Sequence, residues 1–248
     1  MQRYFLTETP ESNAFDLDEA TAHHLMTVLR GKVGTTAEFV LPDHQNMVVA
    51  KVTAVTESTT RMEIIDKIAV EVELPVDTTV ILGLAKGDKP ELVVQKATEL
   101  GVHQIIFVET AWSVVHWGMK ADKKLTRLQK IAQGAAEQSH RLQVPVVSYV
   151  PSLTDLTLPD TTIKIVAWEE SAKQGEVTQL VQQFEQLKTG DAITFLFGPE
   201  GGLKESELLY LVDELNFVAA GLGPRILRAE TAPLYALSAL SYALELAR

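Results

Sequence analysis

The chain contains no cysteine. That removes disulfides, thiolate metal sites and a cysteine nucleophile in one stroke, and the cytoplasm is the expected location. No apolar run approaches the roughly 18 residues a membrane helix needs, so no contact with a membrane is expected. The opening stretch MQRYFLTETPESN carries no apolar signal core, and secretion is not expected. The six histidines form no HExxH or comparable ligand spacing, so no metal is expected. Positive charge is also in short supply. There are 22 Lys and Arg against 33 Asp and Glu, a net charge of −11, which excludes coating of nucleic acid by a generally basic surface. What remains is a chain of 248 residues, 46% apolar, long enough for one large domain or two small ones.

The two parts of the chain are patterned differently. Residues 1–74 hold short β-branched runs, AEFVL (37–41), MVVAKVTAV (47–55) and RMEIIDKIAV (61–70), separated by turn-rich stretches and interrupted by an amphipathic segment predicted to be a helix ending near Gly31. This pattern predicts a small β-barrel domain. ELPVDTT (73–79) reads as the boundary, giving domains 1–74 and 75–248. Beyond it, apolar strands at 79–85, 104–109, 145–149, 163–168, 192–198 and 217–223 alternate with helices around 89–100, 121–141, 173–187, 204–215 and 231–247. Continuous apolar strands alternating with helices predict an α/β fold, a parallel sheet covered on both faces. Ligands of such sheets bind beyond the carboxyl ends of the strands.

One strand end is unusual. FLFGPEGGLKESE (195–207) stops an apolar run at Gly198-Pro199, inserts Glu200 and adds Gly201 and Gly202. It lacks the GxxxxGK[ST] and GxGxxG spacings, and a carboxylate inside the turn would repel a pyrophosphate. The glycines allow close backbone approach to a ligand; the competing reading is a tight turn with an exposed acid. A second irregular exit, GLGPRILRAETA (221–232), brings Arg225, Arg228 and Glu230, with Thr231 as the expected cap of the last helix. If the two loops leave neighbouring strands, they offer backbone groups for a flat ring, with Glu200, Arg228 and Glu230 as charged groups. That mixture suits a zwitterionic or cationic ligand better than a polyphosphate, although a local Arg228–Glu230 ion pair would also account for those two residues.

Taken in order, HHLMTVLR (23–30), KGDKPELVVQKATELGV (86–102), AAEQSHRLQVP (135–145), GPEGG (198–202) and LGPRILRAETA (222–232) resemble the ribosomal RNA small subunit methyltransferase E family. The resemblance implies a SPOUT-class methyltransferase using S-adenosylmethionine, with a trefoil-knotted α/β domain, a PUA-like N-terminal barrel that binds RNA, and a homodimer whose donor pocket lies close to the interface. It implies methylation of N3 of a uridine in the 16S rRNA of the small ribosomal subunit. The same cofactor residues would serve a ribose 2′-O methyltransferase. A nicotinamide oxidoreductase lacks its glycine pattern here, and a non-catalytic ribosome-binding protein would bind no donor. Carried over by motif, Gly198, Pro199, Glu200, Gly201 and Gly202 form one cofactor loop, and Leu222, Gly223, Ile226, Leu227 and Arg228 the other. Ala167 and Trp168 supply a third wall, and Arg228, Glu230 and Glu200 are the catalytic candidates. The sequence departs from the family at Trp112, where many relatives carry arginine; no role follows for it.

RNA contact has to come from local charge, because residues 1–74 carry six Lys and Arg against twelve Asp and Glu. The candidates are Arg3, Arg30 and Lys32 in the first domain and Lys86 and Lys89 in the second. Residues 120–141 add a ridge with six Lys and Arg against two acids, including Lys123, Lys124, Arg127, Lys130 and Arg141. The plainer account of that ridge is a solvated helix face. The last helix is apolar on more than one side through Leu234, Leu237, Leu240, Tyr242, Leu244 and Leu246, which suits burial in a dimer or in a monomeric core.

Overall fold

In the computed structural model of the chain, residues 1–159, 162–170 and 178–247 are described. The chain gathers into two compact units, one of Met1–Glu73 with Glu137–Gln143, the other of Leu74–Ala136 with Val144–Arg248. The first unit therefore includes a stretch from well beyond residue 74.

That unit is built on a five-stranded sheet of β1 (Arg3–Phe5), β2 (Ala14–Asp16), β3 (Thr36–Val40), β4 (Asn46–Val55) and β5 (Thr60–Ala69) in the order β1-β3-β4-β5-β2. Only β1 and β3 run parallel. The three long runs of the sequence are β3, β4 and β5; β1 and β2 are too short for a period of two to reveal them. Register shifts between Val49 and Ala50 and between Val52 and Ala54 bend the long β4–β5 pair. Tyr4, Leu25, Phe39, Val48, Ala50, Val52 and Met62 fill the core. The amphipathic segment is shorter than expected as an α-helix. α1 (Glu19–His23) is capped by Asp18, whose carboxylate accepts from Thr21 N at 3.0 Å, and it passes into a wider turn over His24–Val28.

Two expected surface cations of this unit are instead interior. Arg3 is 4% exposed, ion-paired with Glu38 at 2.8 Å and donating to the His140 carbonyl. Arg141 is 3% exposed; its guanidinium pairs with Glu73 through Nη2 at 2.5 Å and Nε at 3.0 Å, while the other Glu73 oxygen accepts from Leu142 N and Gln143 N. Burying a guanidinium requires a matched carboxylate, and both arginines have one. Arg3 and Arg141 are removed from the RNA-binding candidates.

The second unit is the predicted α/β structure: an all-parallel sheet of β6 (Asp77–Gly83), β7 (Gln104–Val108), β8 (Val146–Val150), β9 (Ile163–Ala167), β10 (Ala192–Phe197) and β11 (Val218–Ala220). The order is β11-β9-β10-β6-β7-β8. Alternate residues feed two cores. Val80, Leu82, Ile105, Phe107, Ile165, Ile193 and Phe195 face one side, and Ile81, Ile106, Val108, Val166 and Leu196 the other. The strands read as unbroken apolar runs because neither face sees water.

Among the described residues the α-helices of this unit are α2 (Lys89–Glu99), α3 (Ala121–Gln138), α4 (Gln179–Gln186), α5 (Glu205–Asp213) and α6 (Thr231–Ser241). α2 begins with Pro90 in its first turn and ends before Gly101 at φ +90°. Of the helix predicted over 173–187, residues 173–177 lie outside the described part. α6 sends Ala236, Leu237 and Leu240 into the core, joined by Leu244 in the turn that follows, while Tyr235, Tyr242 and Leu246 are exposed. The sequence places Thr231 at the cap; Glu230 occupies that position, without a capping hydrogen bond from its side chain.

Candidate active site

The glycine loops leave β10 and β11, and these strands are not adjacent. β9 lies between them, paired with both. The expected side-by-side arrangement is therefore corrected: the two loops flank the end of β9, and Ala167 and Trp168 are the middle wall. Trp168 N donates to Ala220 O at 3.0 Å, tying that wall to the start of the second loop.

The loop after β10 folds back upon itself, with Gly202 N donating to Pro199 O at 2.9 Å and Gly202 at φ +76°. A Cβ on Gly198 would stand 2.9 Å from the Gly202 carbonyl carbon, and one on Gly83, at the end of β6, would stand 2.4 Å from Pro199 Cδ. A Cβ on Gly201 would crowd the Trp112 Cβ at 3.2 Å. The glycine density thus has an internal cause: the loop packs against its own backbone, against β6 and against Trp112. The sequence leaves ligand approach and a tight turn as competing readings; for Gly198 and Gly201 packing within the chain is sufficient.

The three strand exits wall a cavity of about 640 Å³. Every predicted cofactor residue lines it: Ala167, Trp168, Gly198, Pro199, Glu200, Gly201, Gly202, Leu222, Gly223, Ile226, Leu227 and Arg228. Among the other lining residues, Lys89, Trp112, Glu169, Glu170 and Glu205 carry polar or aromatic groups that the sequence did not assign to the cofactor site. For Glu169 and Glu170 the signal was present, since they follow β9 directly in AWEE. Lys89 and Trp112 come from other strand exits, after β6 and β7, and no sequence spacing links them to the glycine loops.

Lys89 organises the charges. Its Nζ lies 2.9 Å from Glu200 Oε1 and 3.5 Å from Glu230 Oε2. The Lys86 backbone N–H also donates to Glu200, at 3.3 Å. Burial pushes the Glu200 carboxyl upward, but the hydrogen bonds from Lys89 and from backbone N–H groups, with the Lys89 charge, outweigh it and hold Glu200 below the usual carboxylate range. The Lys89 ammonium is raised chiefly by its hydrogen bond to Glu200. Lys89, expected to meet RNA, is thus committed to two carboxylates.

Glu230 is not among the cavity-lining residues; its Oε2 is buried, has no hydrogen-bond partner and faces Lys89. The geometry separates it from Glu200, which lines the cavity. The local Arg228–Glu230 ion pair does not form. Arg228 lines the cavity, is exposed, and has no ion-pair or hydrogen-bond partner for its guanidinium among the described residues.

The loop from β7 that brings Trp112 is pinned at several points. Glu109 accepts from Tyr149 Oη at 2.6 Å and Trp117 N at 3.0 Å, and pairs with His116 Nδ1 at 2.7 Å. Burial and the Glu109 contact push the Tyr149 hydroxyl up to about 12. Thr110 N donates to Ser113 Oγ at 3.0 Å and Ala111 N to Glu207 Oε1 at 2.7 Å.

The remaining predicted cations lie elsewhere. Arg30, Lys32, Lys86, Lys123, Lys124, Arg127 and Lys130 are exposed. On α3, Arg127 pairs with Glu91 at 2.9 Å, and Lys124 sits 5.5 Å over the Trp117 ring.

Residues 72–241 match the model of an RNA methyltransferase domain. The chain is 41% identical to the ribosomal RNA small subunit methyltransferase E of Bacillus subtilis, across all of this chain and 99% of that protein. It belongs to the ribosomal RNA small subunit methyltransferase E family. A member of this family from Neisseria gonorrhoeae, solved bound to S-adenosylmethionine, has a TM-score of 0.81 and 29% identity over 97% of both chains. A methyltransferase from Legionella pneumophila, also solved with that cofactor, gives a TM-score of 0.78 and 26% identity, again over 97% of both chains. Membership of the family makes the chain an RNA methyltransferase and the strand-exit cavity its candidate active site.

Proposed function

We propose that this chain methylates N3 of a uridine in the 16S rRNA of the small ribosomal subunit, with S-adenosylmethionine as donor and S-adenosylhomocysteine as product. The observation that carries this reading is the cavity walled by the exits of β9, β10 and β11, in which four carboxylates (Glu169, Glu170, Glu200 and Glu205) and three cations (Lys89, Arg225 and Arg228) meet apolar and glycine-loop walls, a mixed lining for a zwitterionic donor. Such a lining fits a donor that bears a positive sulfonium and amino group beside a flat adenine. Ala167, Trp168, Gly198–Gly202, Leu222, Gly223, Ile226 and Leu227 would hold it. When bound, it supplies an activated methyl group.

The chain's own task is the uracil N3 proton. Of the catalytic candidates Glu200 is the carboxylate that lines the cavity, and we assign it as the acceptor, directly or through a water; general-base assistance of this kind contributes about 10²–10⁴-fold. Arg228 orients the uracil and stabilises negative charge developing on its carbonyl oxygens. Lys89 fixes Glu200 in place, and Glu230 acts on the site through Lys89.

The wider assembly belongs to the same reading. We take the second unit as a trefoil-knotted SPOUT domain, supported by β10 inserting between β9 and β6 after the chain has run out to β8. The first unit is taken as a PUA-like barrel that binds RNA, supported by its bulged β4–β5 pair. Dimerisation through α6 and the turn that follows it is supported by exposed Tyr235, Tyr242 and Leu246. RNA is met by Arg30, Lys32, Lys86 and the α3 ridge.

The test is incubation of small ribosomal subunits with labelled donor, followed by digestion and mass analysis of the modified nucleoside. N3-methyluridine is expected. A 2′-O-methylated nucleoside would move the reaction to the ribose, and no transfer would overturn the reading.

A further inference from the structure

Trp112 is unusual for an aromatic side chain in so constrained a setting. It is 48% exposed, yet the residues on either side of it are tied by hydrogen bonds. The preceding residue is held by Glu207, the following one by its pairing with Thr110, and Glu109 anchors the loop where it leaves β7 and again at Trp117. Its Cβ and carbonyl oxygen lie against Gly201, where an added Cβ would meet them at 3.2 and 3.6 Å. An indole left half in water costs the fold apolar burial it could have had. Here it does so at the wall of the active-site cavity, on a loop held at several points. Ile226, 72% exposed, and the unpartnered Arg228 line the same cavity.

We infer that Trp112 is the stacking platform for the target base. A nucleobase attacked at its pairing edge has to leave its stack, and it exchanges neighbouring bases for an aromatic or guanidinium face. Trp112 supplies a broad π-face on a loop tied at the residues flanking it, which lowers the ordering cost of binding, and Arg228 supplies the cation. The role is one of substrate recognition: the indole binds the extruded uracil and leaves donor binding to the glycine loops. The inference rests on the proposed methylation of an RNA base.

The test compares Trp112→Ala, Trp112→Phe and Trp112→Leu with the unaltered chain in steady-state methylation of small subunits, alongside calorimetric titration with S-adenosylhomocysteine. Loss of one base–aromatic stack corresponds to roughly a tenfold weakening or more. The Ala and Leu variants are expected to raise KM for subunits, or lower kcat/KM, by about that factor, with the Phe variant recovering most of it and S-adenosylhomocysteine affinity unchanged throughout. Leucine equal to phenylalanine would reduce Trp112 to apolar packing and overturn the inference. So would a loss confined to S-adenosylhomocysteine affinity, or no change at all. If the unaltered chain itself transfers no methyl group, the parent reading fails, an outcome distinct from each of these.

Discussion

At the scale of single residues, the site turns on which carboxylate faces the substrate. Glu200 and Glu230 share Lys89, but only Glu200 lines the cavity. Glu200→Gln is expected to lower kcat by about 10²–10⁴-fold, whereas Glu230→Gln, acting through Lys89, should cost distinctly less. Single-turnover rates with saturating donor check this, and equal losses would return Glu230 to the catalytic group. If Glu200→Gln instead weakens S-adenosylhomocysteine binding and spares the single-turnover rate, Glu200 is a donor ligand. Gly198 offers a second test. Its missing Cβ leaves room for the Gly202 backbone, so Gly198→Ala should destabilise the fold by about 1–3 kcal/mol through overpacking, read as a shift in the urea midpoint without any ligand present. A loss of donor affinity at unchanged stability would restore the ligand-approach explanation. The motif residues were legible because glycine, proline and charge cluster within a few positions. Lys89 and Trp112 were not, because their place at the cavity depends on which strand exits converge in three dimensions.

At the scale of elements, the strands of the parallel sheet were legible from continuous apolar runs, since both faces are buried and the two cores demand it. Their order was not legible. Nothing in the strand sequences distinguishes β9 beside β10 from β10 beside β11, and that order turns two neighbouring loops into two walls separated by a third. Short strands such as β1 and β2 escaped for lack of length, and the helix over 19–28 changed its winding midway. On α3, Lys123 and Lys130 are exposed and have no ion-pair partner among the described residues, unlike Arg127. Lys123→Glu with Lys130→Glu should weaken subunit binding and flatten its salt dependence, because fewer counterions are released. Filter binding across a salt series measures it; unchanged affinity and slope would make α3 a solvated face.

At the scale of the whole molecule, an acidic chain must find its RNA through patches, and its stability should carry the mark of its engaged carboxylates. Burial works to raise Glu109, but hydrogen bonds from Tyr149, His116 and the Trp117 N–H prevail and hold it below the usual range, as Lys89 helps to do for Glu200. A depressed carboxylate contributes stability that is complete above its unfolded value, near ~4.3, and is lost as pH falls through the lower folded value. Thermal midpoints should therefore hold level near neutrality and fall below about pH 4.3. Glu109→Gln should lower stability by about 1–3 kcal/mol at pH 7, with the difference shrinking toward pH 3; a constant difference across that range would show that the charge of Glu109 is immaterial.

The stretch Glu137–Gln143 belongs to the first unit although it is encoded midway through the chain. Arg3 donates to the carbonyl of His140, Glu73 accepts from Arg141, Leu142 and Gln143, and the His44 ring is paired with the Leu142 carbonyl at 3.1 Å. During synthesis the N-terminal strands emerge first and domains tend to fold as they appear. Here the opening unit is left incomplete until residues 137–143 have been translated: Arg3 has Glu38 but not the His140 carbonyl, and Glu73 is without Arg141, Leu142 and Gln143. A fragment ending at residue 74 is thus an unfinished protein rather than a detachable RNA-binding module.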